Sequence, residues 1–168
     1  MEKEFSSGDN PLVLDIGSFS IKAGFAGDHT PKLISPTLIG YPKYPGIMIG
    51  MDQKDFYTGH DAKSKKHFLN LSEPVINGAV TNFDELSKIL LDLVVHDLKW
   101  TFEKQNVLIT ENPHTNMKEF REKYAALMFE VFEVDSLFFA NQQVLSLYAS
   151  ARTTGTVVDC GHGYTNVV

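Results

Sequence analysis

The stretch LVLDIGSFSIKAGFAG, residues 12–27, joins an apolar strand to a turn that carries charge. The apolar run ends at Asp15, Gly17 follows, and Lys22 stands alone among apolar neighbours. A glycine after a strand lets backbone N–H groups approach a ligand closely, because no Cβ intervenes. Successive N–H groups in a turn bind anions, and a carboxylate beside them suits a hydrated Mg²⁺ on phosphate oxygens. The stretch therefore predicts a site for a metal-bound phosphate.

The same pattern recurs in TVVDCGH, residues 156–162, where an apolar strand ends at Asp159 and Gly161 follows after one residue. A single Asp-x-Gly after a strand is typical of an ordinary turn. A lone lysine can simply reach solvent from a strand edge. Two such turns, one in each of two predicted domains, are more specific. If they face each other, they would hold a polyphosphate between the domains, with Lys22 neutralising part of its charge.

The composition narrows the class of protein. Of the 168 residues, 43% are hydrophobic and 21% are charged, which is typical of a soluble globular protein. A formal net charge of −6 disfavours binding to nucleic acid or to anionic membranes. The single cysteine rules out an internal disulfide and suits a reducing compartment. We expect a protein of the cytoplasm or nucleus with neither nucleic acid nor membrane as a partner.

The order of predicted elements is three strands, helix, strand, helix, strand, which is typical of a sheet covered by helices. The third strand is predicted as one run, KLISPTLIG, residues 32–40. The first long helix, in residues 81–100, is predicted to begin with Thr81 as its cap and Asp84 completing a capping box. The second is predicted in residues 116–132.

Three further segments carry expectations about organisation. Residues 1–10 are predicted to be a flexible tail. Residues 41–67 are rich in proline, glycine and lysine, which predicts an excursion on the surface and not core. Residues 151–168 end in an extended apolar pattern that would leave an unpaired edge. We therefore expect them to open a second domain, and the sequence to be a fragment.

Long stretches resemble the actin and actin-related protein family, in its N-terminal half, from about residue 11 to residue 168. They include IKAGFAGD at 21–28, GIMIGMDQKDFYTG at 46–59, LMFEVFEV at 127–134 and QVLSLYASARTTGTVVDCGHG at 143–163. The resemblance implies an α/β fold, the actin-like ATPase domain of ribonuclease-H type, with a mixed sheet flanked by helices. It further implies a first domain in 11–36 and 74–150, a small inserted subdomain in 37–73, and the start of a truncated second domain in 151–168.

The resemblance also implies ATP and Mg²⁺ as cofactors and assigns residues to them. Asp15 and Asp159 would hold the water shell of the metal. Two loops would bind the phosphates: Gly17, Ser18, Phe19 and Lys22 in the first, and Gly161, His162 and Gly163 in the second. Gln142 would orient the attacking water, and Asn166 stands where the family has a histidine that helps to order it. The adenine and ribose pocket is expected mainly outside residues 1–168.

Three of these positions depart from the actin pattern. Phe19 replaces a glycine, His162 replaces an aspartate, and Asn166 cannot titrate as a histidine does. The last two changes fall around the attacking water, whereas the metal positions and the remaining phosphate positions are kept. We hypothesise that ATP binding survives and that hydrolysis is slower than in actin, which would leave at most a weak ATPase.

Two classes of function remain open at this point. The first is a divergent family member that acts as a cytoskeletal filament protomer or as an actin-related subunit of a larger assembly. Its contacts to other actin or actin-related subunits would run through the loop that carries Met48 and Met51. The second is a non-hydrolysing scaffold of a ciliary, cytoskeletal or chromatin-remodelling complex. A sugar kinase is a weak third reading, because nothing in the chain resembles a sugar site. The cytoplasm and cytoskeleton are the expected location, with the nucleus or cilium open.

Overall fold

A computed structural model describes residues 10–44, 54–113 and 117–168. In chain order the strands and helices are β1 (Leu12–Ile16), β2 (Ser20–Phe25), β3 (Leu33–Pro36), β4 (Ile39–Pro42), β5 (Tyr57–Thr58), α1 (Gly59–Ser64), β6 (Leu69–Ser72), β7 (Val75–Ile76), β8 (Ala79–Val80), α2 (Phe83–Leu91), β9 (Asn106–Glu111), α3 (Met117–Ala126), β10 (Ser136–Asn141), α4 (Gln142–Ala149), β11 (Val158–Cys160) and β12 (Thr165–Val167). Helix α2 continues in a π-helical segment, Asp92–Asp97, and α3 in another, Leu127–Val131.

The main sheet has five strands in the order β10-β9-β1-β2-β3. Strands β1, β2 and β3 form an antiparallel meander, while β9 runs parallel to both β1 and β10. A parallel neighbour needs a crossover connection, and α3 supplies it between β9 and β10. The predicted α/β class, with a mixed sheet flanked by helices, is confirmed.

Side chains along β1 alternate between the buried core and the opposite face of the main sheet. Leu12 and Leu14 are fully buried, and they belong to one hydrophobic cluster with Leu90 of α2 and Met128, just beyond α3. Successive side chains of a strand point to opposite faces. Asp15 therefore lies on the face away from this cluster. Lys22 is its direct partner on β2, so it lies on the same face.

The predicted third strand, residues 32–40, is wrong as a single element. Its first half is β3 of the main sheet, and its second half is β4 of a separate three-stranded sheet. The break falls at Thr37, whose hydroxyl donates to the Gly17 carbonyl at 2.7 Å and whose N–H donates to the Phe19 carbonyl at 3.0 Å. These two bonds tie the chain to the turn after β1, so it leaves the sheet there.

The small sheet has the order β5-β4-β6 and carries a core of its own. Tyr57, Ala62 and Leu69 are buried together, with Leu38 packed against them. The expectation that residues 41–67 hold no core was therefore wrong for Tyr57 and Ala62. This sheet lies within the range 37–73 given to the inserted subdomain, whose boundaries stay a prediction. Met48 and Met51 lie outside the described residues.

Helix α2 begins one residue later than the predicted cap. Asn82 is the cap, and its side-chain oxygen accepts a hydrogen bond from the Glu85 N–H at 3.1 Å. Thr81 was the wrong choice, because its hydroxyl donates instead to the Pro74 carbonyl at 3.1 Å. Within the described ranges, no helix combines the length and apolar character needed to cross a membrane.

Candidate functional site

Two hairpins of the same construction contain all the predicted site residues except Gln142, which begins helix α4. In the first, β1 and β2 are joined by a turn in which the Gly17 N–H donates to the Ser20 carbonyl at 3.1 Å. In the second, β11 and β12 are joined by a turn in which the Gly161 N–H donates to the Tyr164 carbonyl at 3.0 Å. The repeated Asp-x-Gly pattern of the sequence therefore corresponds to a repeated backbone structure.

Both hairpins line one cavity of about 980 Å³. The predicted site residues on its wall are Asp15, Gly17, Ser18, Phe19, Lys22, Gln142, Asp159, Gly161, His162 and Gly163. Residues that stand 144 positions apart in the chain, Asp15 and Asp159, thus border the same space. The roles assigned to these residues stay predictions.

Three side chains hold the Asp15 carboxylate. The Lys22 ammonium donates to Oδ2 at 2.8 Å, and the Thr110 hydroxyl donates to Oδ1 at 2.7 Å. The Gln142 Nε2 also donates to Oδ1, at 2.8 Å, and to the Thr110 hydroxyl at 3.1 Å. Lys22 comes from the adjacent strand, Thr110 from β9 and Gln142 from the first turn of α4. Three separate elements therefore fix one carboxylate at the edge of the cavity.

The Asp159 carboxylate is held by the next residue of the same helix. The Gln143 Nε2 donates to its Oδ2 at 3.1 Å. Nearby, burial raises the pKa of the Tyr164 phenol, and the negative charges of Asp159 and Asp15 raise this pKa further. Both carboxylates thus lie close enough to this one phenol to act on its ionisation.

The tips of the two turns touch through aromatic side chains. The rings of Phe19 and His162 lie 5.1 Å apart between centroids, tilted by 45°. The Lys63 ammonium of α1 lies 5.7 Å from the centre of the Phe19 ring, within cation–π range. Phe19 is nevertheless 57% exposed. Two of the three departures from the actin pattern are therefore in contact with each other.

The turn between β7 and β8 abuts both hairpins. The Gly78 N–H donates to the Ser18 hydroxyl at 2.9 Å. On the other side, a Cβ at Gly163 would lie only 2.8 Å from the Asn77 Cα. A side chain there would collide with backbone, so this close approach requires glycine. The β7–β8 turn thereby braces the two hairpins against each other.

Asn166 lies apart from the other predicted catalytic residue. It is fully buried, and its Nδ2 donates to the Asn112 Oδ1 at 2.6 Å. It is not among the residues that line the cavity, whereas Gln142 is. In the β11–β12 register Asn166 stands opposite Asp159, as Lys22 stands opposite Asp15. Its assigned role stays a prediction, and its side chain is buried in the interior, where it binds Asn112.

Three site residues escaped the sequence reasoning: Thr110, Gln143 and Tyr164. Thr110 had a usable signal, because a polar residue near the end of a strand parallel to β1 falls at the same sheet edge as Asp15. Gln143 follows the predicted Gln142 in the chain. Consecutive side chains of a helix point about 100° apart, so the position of Gln142 does not predict where the Gln143 side chain lies. Tyr164 carried no signal in its local sequence.

The carboxylates, the lysine and the backbone N–H groups of the site are chemically suited to a metal-bound polyphosphate. The carboxylates of Asp15 and Asp159 have the chemistry to accept from the waters of a hydrated cation, and Lys22, which pairs with Asp15, has the charge to contact an anion. The N–H groups of Gly17 and Gly161 close their own turns. By contrast, those of Ser18, Phe19, His162 and Gly163 meet no acceptor among the described residues. These four N–H groups are left for solvent or for phosphate oxygens.

The sequence matches a known protein family. The family model described as Actin matches residues 7–168, which is nearly the whole sequence. The match includes both hairpins, the small sheet and helix α4. On a match of this extent, the chain belongs to the actin family.

Proposed function

We propose that this actin-family chain binds Mg-ATP between its two hairpins and acts as an ATP-dependent assembly subunit, either a filament protomer or a subunit of a larger complex. One observation carries the proposal: Asp15 and Asp159 border one cavity, and each carboxylate is held by a glutamine of the same helical turn. A turn-and-carboxylate pair on each side of a cavity is suited to a polyphosphate that carries a divalent cation.

Each residue has a task that follows from its chemistry. Asp15 and Asp159 would hold the water shell of Mg²⁺, which when bound would neutralise charge on the phosphates. Lys22 would offset part of the remaining negative charge as a point cation. The N–H groups at the tips of the turns would donate to phosphate oxygens. Gln142 lies against both Asp15 and Thr110, so its carboxamide is suited to orient a water beside the metal position.

A second candidate is a scaffold that binds the nucleotide without turning it over. Two observations favour it. The Phe19 and His162 rings meet at the tips of the two turns, beside the position proposed for the phosphates and the attacking water. Asn166, in a position that the family uses to order that water, donates its amide to Asn112 in the interior. Slow hydrolysis would leave a long-lived ATP state, which suits a docking platform.

One experiment separates the two candidates and tests the shared claim. The protein at its full natural length is purified, its bound nucleotide is extracted, and it is sedimented with Mg-ATP while released phosphate is measured. A pellet with released phosphate supports the protomer, whereas a soluble, ATP-loaded monomer supports the scaffold. Asp15→Asn and Asp159→Asn variants should each lose Mg-dependent nucleotide. Retention of nucleotide by both variants at wild-type level would contradict the proposed site.

A further inference from the structure

Two consecutive glutamines at the start of α4 bind two different carboxylates. Gln142 donates to Asp15 at 2.8 Å, and Gln143 donates to Asp159 at 3.1 Å. The first bond spans 127 positions of the chain and the second spans 16. Since consecutive helical side chains diverge by about 100°, one turn can serve both hairpins at once. Helix α4 is therefore the element that connects them.

The start of α4 is held firmly enough to act in this way. The helix follows β10 without a loop, and Asn141, the last residue of that strand, is its cap. The Asn141 Oδ1 accepts from the N–H groups of Gln143 and Val144, at 2.9 and 3.1 Å. Because β10 belongs to the main sheet, the two glutamines start from a backbone that the sheet positions.

Gln143 is costly to bury, which indicates that its amide has a purpose. Its side chain is only 1% exposed. Its Nε2 is satisfied by Asp159, but its Oε1 has no hydrogen-bond partner among the described residues. A buried polar group costs free energy unless it is paired, and an apolar side chain of similar size would avoid this cost. Packing alone therefore does not explain a glutamine here.

We propose that Gln143 is the positioning residue of Asp159 and sets the affinity of the site for a divalent cation on a polyphosphate. This inference rests on the proposed function. With Gln142 holding Asp15, Gln143 fixes the orientation of the second carboxylate, so that both carboxylates serve one hydrated cation. Partners of this kind orient metal-binding carboxylates in many proteins.

The direct test replaces the amide by an apolar side chain of similar size. Gln143→Met is expected to weaken Mg-dependent binding of a fluorescent ATP analogue by about 10- to 100-fold, the usual effect of losing such a partner. Binding in EDTA should change by less than about twofold, because without the cation Asp159 has no partner to orient toward. Val144→Ala, at an exposed position of the same turn, is the matched control and should behave as wild type. Gln143→Leu serves as a second variant if the methionine variant folds poorly.

A double-mutant cycle tests the contact itself without any nucleotide. The wild type, Gln143→Met, Asp159→Asn and the double variant are unfolded in urea, and the coupling of the two changes is obtained. Additive effects would overturn the Gln143–Asp159 link, whatever the nucleotide data show. Coupling with an unchanged magnesium dependence in Q143M would overturn the positioning role alone. A wild-type protein that binds no Mg-ATP would overturn the proposed function, and with it the role of Gln143 toward the cation.

Discussion

Lys22 and Asn166 occupy equivalent positions in two equivalent hairpins, yet their side chains bind different kinds of partner. Each stands directly opposite an aspartate, Asp15 in the first hairpin and Asp159 in the second. Lys22 forms a 2.8 Å ion pair with its aspartate, at the edge of the cavity. Asn166 is buried and binds Asn112 instead. The two halves of the site are thus alike in backbone and unlike in charge.

Lys22→Met should therefore weaken nucleotide binding with little effect on folding. We expect at least a tenfold loss of ATP affinity, because a hydrogen bond to a charged group is worth about 1.5–3 kcal/mol. The free energy of unfolding should change by less than about 1 kcal/mol, since exposed ion pairs contribute little. The matched control is Lys123→Met, which breaks an exposed lysine–glutamate pair with Glu119 away from the cavity wall. Equal nucleotide affinities of the two variants would contradict a role for Lys22.

Phe19→Ala should speed the release of bound nucleotide. The Phe19 ring connects the first turn to His162 of the second turn, and it also contacts Lys63 of α1. An aromatic contact is worth about 0.5–1.5 kcal/mol, so release of a fluorescent ATP analogue is expected to be about 2- to 12-fold faster. Phe68→Ala is the control, because Phe68 is 58% exposed, close to the 57% of Phe19, and lies outside the cavity wall. Identical release rates in wild type and Phe19→Ala would show that the contact between Phe19 and His162 does not slow the release of nucleotide.

Leu90→Ala should destabilise the fold, whereas Leu91→Ala should not. Leu90 is fully buried against the main sheet, while its neighbour Leu91 is 41% exposed. Truncating a buried leucine costs about 2–5 kcal/mol, because a cavity remains. The same change at an exposed position is expected to cost less than about 1 kcal/mol. Urea unfolding of both variants checks which face of α2 is buried. A larger loss of unfolding free energy in Leu91→Ala than in Leu90→Ala would show that the opposite face of the helix packs on the sheet.

Alkaline pH should destabilise the protein partly through Tyr124. Complete burial raises the pKa of this phenol far above its ordinary value. Above about pH 10 the unfolded chain releases the proton while the folded chain keeps it, so the free energy of unfolding falls as pH rises. Below that pH the contribution is fully present. Tyr124→Phe removes the phenol and should make this fall shallower in urea titrations between about pH 9 and pH 11.

A control for this comparison is Tyr148→Phe, which removes a hydroxyl from a ring that is 59% exposed. Phe at position 124 keeps the ring contacts with Phe120 and Phe83, whose centroids lie 4.4 and 5.3 Å away. A slope that is unchanged in Tyr124→Phe would mean that other groups account for the alkaline loss.

Elements that depend on neighbouring residues can be predicted from the order of residues alone. The apolar run that ends at Asp15 predicts a buried strand, and the structure has a strand there, Leu12–Ile16. The helical spacing of Leu86, Leu90 and Val94 predicts the buried stripe that now packs on the sheet. Family membership also followed, because long stretches of the actin pattern are kept and the family model matches them. These properties are local, and so the order of residue types is enough to state them.

Contacts between distant groups, by contrast, depend on how the whole chain packs. Thr81 and Asn82 are both good helix caps, but Thr81 is taken by the Pro74 carbonyl, which the fold brings to it. Gln142 and Gln143 look alike in the sequence, yet each binds a carboxylate from a different hairpin. Asn166 turns inward because Asn112 offers an acceptor there. A polar side chain takes the partner that packing places within about 3 Å, and packing depends on the whole chain.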